Sequence, residues 1–357
     1  MWLGLHKRWF GSIFAVIAII TCGFVITSVQ SNAIAGSIMA TLGTTEAQQG
    51  THSAIIAVIL FVFAAPIILG GIRSVARVTE WMAPIMAVVY VIIAAIILVM
   101  NIGQIPATLA LIVKSAFTGG ALGGGIGGGI FAALINGVQR GLFSNEAGQG
   151  TAPNAAATAT VSHPVRQGLI QSLGVFVDTI IVCSATAIII LSAPKAVLTG
   201  TDPSQAASLT TVAVASQLGD WSTYLMLLII SVLAFSSIIA AYVYSDVNMS
   251  FVTTKPWASW LVRIVSVASV VLGAVVSLPL VWNAVDIAMA VMTITNLIAI
   301  TLLWKWAVGA LKDYSASRRR DKDAVPVFVA KNNPYLPAEL PTEVWSEEPG
   351  KALSTEA

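Results

Sequence analysis

Seven stretches of roughly twenty apolar residues follow one another along this chain, at about 10–29, 53–71, 82–100, 168–192, 222–244, 259–281 and 284–306. Each has the length of helix needed to cross about 30 Å of hydrocarbon. An eighth, weaker stretch at 128–143 runs into a polar segment. Within a bilayer every backbone N–H and C=O must be paired inside the protein, so only helices and closed barrels span it. Continuous apolar runs, without the alternation of a barrel strand, select helices. Composition agrees, with 57% apolar and only 10% charged residues, against about 25% charged in soluble domains. The sequence predicts an all-α multi-pass membrane protein of about eight segments.

Several function classes fall away at once. Cys22 and Cys183 lie in apolar runs, which offers neither a disulfide framework nor a zinc site. The basic residues are spread over loops rather than gathered on one face, so no nucleic acid partner is expected. His6, His52 and His163 fall in loops or at run ends, with no nucleophile–base or metal constellation, and the chain is not read as an enzyme. No cofactor is implied. The glycine run Gly119–Gly129 lacks the Lys-Ser/Thr ending of a phosphate loop; close helix approach suits it better. The first apolar run is too long for a signal peptide.

Lysine and arginine orient the segments. With a cytoplasmic N-terminus and eight crossings, all of the 18 basic residues except Lys114 and Lys195 fall on the cytoplasmic side, Arg140 among them. Both termini are then inside. Residues 1–311 form the membrane domain, and the polar stretch 312–357, opening on RRRDKD, reads as a flexible cytoplasmic tail.

The polar segment is Gly137 to Pro153, GVQRGLFSNEAGQGTAP. Asn145, Glu146, glycines and a proline interrupt a helix at membrane depth, which is tolerated only inside protein or beside a water-filled cavity. Such broken helices bind substrates and ions in transporters. The alternative is an ordinary cytoplasmic loop. Glu146, Asp178 and Asp286 lie in or beside apolar runs, where acids usually face a site or a partner. Asp178 is well inside its run; for Asp286, near a run end, snorkelling or an outer vestibule stands level with an internal role. Gln30 and Asn32 carry amides that can fix a polar ligand or tie helices together. Ser236 and Ser237 have hydroxyls for a hard cation, or for packing.

From SNEAGQGTAP into SHPVRQGLIQSLGVFVDTIIVC the chain resembles the alanine or glycine:cation symporters, the sodium:alanine symporter family. SVQSNAIA, GGIRSVARVTEWMAPIMAVVYVII and VWNAVDIAMAVMTITNLIAI carry the likeness further. The resemblance implies a fold like the neurotransmitter:sodium symporters, with inverted repeats. It implies uptake across the plasma membrane of alanine or glycine with Na+, or sometimes a proton. By it, Ser144 to Gly150 is the break of a discontinuous helix, in which Ser144, Asn145, Glu146, Ala147 and Gly148 hold substrate. Gln30 and Asn32 line the substrate pocket, while Ser236, Ser237 and the Leu233 carbonyl form the sodium site.

The chain also departs from that pattern. A Gly-Thr-Gly-Asn stretch on a first discontinuous helix is missing, so the resemblance implies an N-terminally truncated member with a partial repeat. A family tryptophan falls on Ala241, and the usual Asn, Gly and Pro of the last run fall on Met289, Ala290 and Thr295. The alternative expectation is a non-transporting membrane subunit or inactive remnant, working beside an intact symporter.

Overall fold

The apolar runs are helical in the computed structural model, which describes residues 2–117, 125–157, 159–194, 196–197, 208–321, 325–340 and 345. The run at 259–281 divides at Val276–Ser277, its end joining the helix of the 284–306 run. In chain order these helices are α1 (Arg8–Thr41), α2 (Glu46–Leu69) and α3 (Ile72–Met100). Next come α4 (Ile105–Phe117), α5 (Gly125–Asn145) and the short α6 (Ala152–Ala156). The series ends with α7 (Pro164–Leu191), α8 (Leu209–Leu218), α9 (Trp221–Val252), α10 (Pro256–Val275) and α11 (Leu278–Arg320). Among the described residues seven helices are long and apolar enough to cross a membrane; α5, with 21 residues, leads into the break. The chain is an integral membrane protein. Residues 118–124, most of the glycine run, lie outside the described residues.

The helices begin where their caps dictate. A capping box of Thr45 and Gln48 opens α2, and prolines in the first turn open α7, α10 and α11, where the missing N–H costs nothing. Large apolar side chains such as Phe63, Ile92, Val99 and Leu173 point outward, as lipid-facing surface does.

α1 is the spine. On one side it meets α10 so closely that a Cβ on Gly273 would sit 2.3 Å from the Ser28 carbonyl oxygen. Ser28 Oγ donates to the Ser269 carbonyl at 3.2 Å and Ser31 Oγ to that of Val270 at 2.5 Å. The Asn32 amide donates to the Gly273 and Val276 carbonyls at 3.0 and 2.7 Å. Small residues permit this approach and polar ones tie it. Apolar clusters fill the remaining contacts: Ile34, Leu60, Ile238 and Tyr242 in one, Phe14, Cys22, Val285 and Met292 in a second, and Tyr90, Ile189 and Met226 in a third.

Two sequence expectations need correction. Arg140 lies within α5, not in a cytoplasmic loop, and bonds Asp286 at 3.0 Å. Asp286 is 27 residues before Asp313 on α11, about 40 Å away at 1.5 Å per residue, so Arg140 belongs to the end opposite the Arg318–Arg320 cluster. Residue 312 is also no boundary. Helix-favouring basic residues, placed well against the negative end of the helix dipole, carry α11 on to Arg320. Beyond it, Phe328 is buried and its N–H donates to the Ser162 carbonyl at 2.9 Å. Its ring packs edge-on against His163, 4.9 Å between centroids, and His163 Nε2 lies 3.2 Å from Asp313 Oδ2.

Candidate functional site

The break forms because the residues after Asn145 cannot continue the helix. Glu146 takes a left-handed conformation with φ 55°, and Gly148 and Gly150 follow at 88° and 92°. Asn145 supports the turn, its Oδ1 accepting from the Ala147 N–H at 2.9 Å. The Leu142 carbonyl takes the Glu146 N–H at 3.0 Å and also the Gln149 side-chain amide. From α11, Asn296 donates to the Gly148 carbonyl at 2.9 Å. Gly150 has no alternative residue: a Cβ there would lie 2.4 Å from the Phe14 ring, in a backbone region that side chains rarely enter.

Beside the break is a cavity of about 380 Å³, within the range of small-molecule sites. α1 contributes Ile26 and Gln30, and α5 with the break contributes Phe143, Ser144, Glu146 and Gln149. α9 presents Ser236, Ser237, Ala241 and Tyr244, and α11 adds Met289. Ser236 Oγ and Ser237 Oγ both donate to the Leu233 carbonyl, at 2.7 and 3.3 Å. Three oxygens thus converge on one turn of α9. The Tyr244 ring faces the Glu146 carboxylate.

Local helix irregularities shape this region. Thr21–Ile26 in α1 and Val177–Cys183 in α7 are π-helical, a widening often found at functional sites. The second carries Asp178, whose Oδ2 accepts from Ser144 Oγ at 2.7 Å. Next to it, Asn145 Nδ2 donates to Thr179 Oγ1 at 2.9 Å. Asp178 therefore braces the cavity wall from behind.

The anticipated residues divide in three. Gln30, Ser144, Glu146, Ser236 and Ser237 share the cavity, with Leu233 joined through its carbonyl. Asn145, Ala147 and Gly148 shape the break without being wall residues. Asn32 stands apart: its amide is taken up by α10, and it borders a different cavity of about 750 Å³ with Glu46 and Ser277. For Asn32, the helix-tying alternative describes its bonds. Asp286 faces Arg140, whose guanidinium also covers the Trp282 ring at 4.9 Å; Trp282 in turn packs on Phe143, 5.3 Å between centroids.

Sequence reasoning passed over Ile26, Phe143, Gln149 and Tyr244. For Tyr244 a signal existed, since it lies seven residues, two helical turns, beyond Ser237. Nothing comparable marks Phe143 or Ile26, which look like ordinary core.

These features define an integral membrane protein with a polar cavity set at a helix break, the arrangement found at transporter sites. The chain belongs to the sodium:alanine symporter family, whose pattern matches residues 1–329. It is 40% identical over 338 residues to "Probable sodium/glutamine symporter GlnT" of Bacillus subtilis, covering 92% of this chain and 66% of that protein. "Amino-acid carrier protein AlsT" of the same organism is 39% identical, over 98% of this chain and 71% of its own length. "Sodium/proton-dependent alanine carrier protein" of Bacillus sp. (strain PS3) is 33% identical, over 94% and 76% respectively. The chain thus spans about two thirds of the length of the first of these relatives.

Proposed function

We propose that this chain serves cation-coupled symport of a small neutral amino acid, alanine or glycine, inward across the plasma membrane. The carrying observation is the shared cavity: the Gln30 amide, the broken helix at Ser144–Gly148 and the paired hydroxyls of Ser236 and Ser237 meet around it. The freed backbone of Ser144 to Gly148 holds the substrate and Gln30 orients it. Ser236, Ser237 and the Leu233 carbonyl supply oxygen ligands to Na+, whose hard character suits them. No covalent step is involved; the work is binding and alternating exposure of the cavity. The inverted-repeat fold of the neurotransmitter:sodium symporters and cytoplasmic termini are part of the same proposal. So is the alanine coupling that one relative's name states.

The test is uptake of labelled alanine and glycine into proteoliposomes with and without a Na+ gradient. It is run on this chain alone and on a form extended by the length its relatives carry. Gradient-driven uptake by either form supports the proposal. Absence from both, with an intact carrier co-purifying, moves the reading to a non-transporting subunit.

One observation favours a second cargo. Ala241, where the family resemblance places a tryptophan, stands on the cavity wall and leaves room for a longer side chain. Glutamine therefore belongs among the competitors. Stronger competition by glutamine than by alanine would move the cargo to the larger amide.

A further inference from the structure

The break holds two buried oxygens that protein groups leave unused. Gln149 is 1% exposed, and its Nε2 is committed to the Leu142 carbonyl, which fixes Oε1 as an acceptor with no donor. Thr151 is fully buried; its Oγ1 faces the Glu146 carboxylate yet meets no hydrogen-bond partner of normal geometry. Thr151, Tyr244, Asp178 and Cys22 surround Glu146, and among the described residues no lysine or arginine forms an ion pair with it. A buried carboxylate without a cation is costly, and buried polar atoms without partners call for an explanation. Unpartnered hydroxyls also occur at Ser37, Ser192, Ser266 and Thr293, but on separate elements. At the break two such oxygens fall within five residues of one acid.

We propose that the helix break binds a second monovalent cation, Na+, on the Glu146 carboxylate, Gln149 Oε1 and Thr151 Oγ1. This rests on the reading of the chain as a cation-coupled carrier and adds an ion to the one assigned to α9. One carboxylate with neutral oxygens is the ligand set of a hard cation. No group of three His, Cys, Asp or Glu suited to a transition metal exists among the described residues. The enclosure of Gln149 and Thr151 favours a bare ion over the ammonium of a substrate, which must bring its α-carbon with it. Glu146 and Gln149 line the same cavity as Ser236 and Ser237, so both ions would be felt by one substrate.

The experiment is equilibrium binding of radioactive sodium to the purified full chain in detergent, counted per chain. Two ions are expected for the wild type and for Thr151→Ser, which keeps the hydroxyl. Thr151→Val and Glu146→Gln are each expected to retain one, as is Ser237→Ala, which weakens the other site enough to empty it at a sodium concentration just saturating the wild type. A wild-type count of one, lost with Ser237→Ala, overturns the second site and leaves the carrier reading intact. A count of two in both Thr151→Val and Glu146→Gln overturns it as well. Glu146→Gln that keeps two ions but loses alanine binding would give the carboxylate to the substrate's ammonium instead. No ion on the wild type overturns both readings together. The wild-type count decides even where a variant fails to fold.

Discussion

Two sets of polar side chains are buried among these helices, and they use their hydrogen-bonding capacity differently. Along the α1–α10 seam, Ser28, Ser31 and Asn32 are aimed at fixed carbonyls of the neighbouring helix. Around the cavity, Ser236 and Ser237 crowd a single carbonyl, while Gln149 Oε1 meets no donor and Thr151 Oγ1 no partner of normal geometry. The first set is mortar, complete without a ligand. The second has acceptors to spare beside a cavity, the arrangement expected where something else is to be bound. Polar residues in membrane helices look alike in a sequence; their partners separate them.

The largest predicted effect would break the comparison outright. Gly150→Val must leave the left-handed region, at about 1–3 kcal/mol, and overpack Phe14, at about 1–3 kcal/mol more. The expected outcome is loss of monodisperse protein on gel filtration; a well-behaved variant would show that the break is not fixed by this glycine. Ser237→Ala should leave thermal stability nearly unchanged. It should weaken Na+ binding about 10- to 100-fold, the consequence of losing about 1.5–3 kcal/mol of bonding to a charge. Titration of sodium by isothermal calorimetry checks this.

Asn32→Ala should do the reverse. It strands the Gly273 and Val276 carbonyls, costing about 1–3 kcal/mol of stability, while sodium affinity stays put. A melting curve beside the same titration decides. If Asn32→Ala abolishes sodium or alanine binding without lowering stability, the seam is a site after all.

The smallest effect belongs to the α7–α11 end. Burial holds His163 below its ordinary pKa, with Asp313 pulling the other way. The folded state therefore favours the neutral ring. Its contribution is fully present above the unfolded value of about 6.5 and declines as pH falls below it. Melting temperature should drop between pH 7.5 and 5.5, and His163→Asn, which does not titrate, should flatten that slope.

Much of this was legible in the sequence, for identifiable reasons. Runs of twenty apolar residues fix helices, and the Asn145–Gly150 stretch fixes a break, because both follow from backbone physics alone. The convergence of Ser236 and Ser237 on Leu233 follows from the helical repeat. Asn32 was not separable from Gln30, since two residues apart on a helix point to different neighbours and only packing names them. Arg140 was misplaced because counting charge by side assumes that basic residues sit in loops, whereas this one lies on a helix and pairs with Asp286 on its exposed face. The continuation of α11 past 312 was hidden by composition, which records polarity rather than the end of a helix.

The claim that the cavity at the break is where cargo and ion bind has a direct test. Met289 lines that cavity, away from the α1–α10 seam. With Cys22 and Cys183 replaced by alanine, Met289→Cys is exposed to a membrane-permeant thiol reagent, with and without alanine in sodium or potassium buffer. The account predicts that alanine slows labelling in sodium and leaves it unchanged in potassium. Equal labelling rates under all four conditions, in protein that still binds alanine, would contradict it.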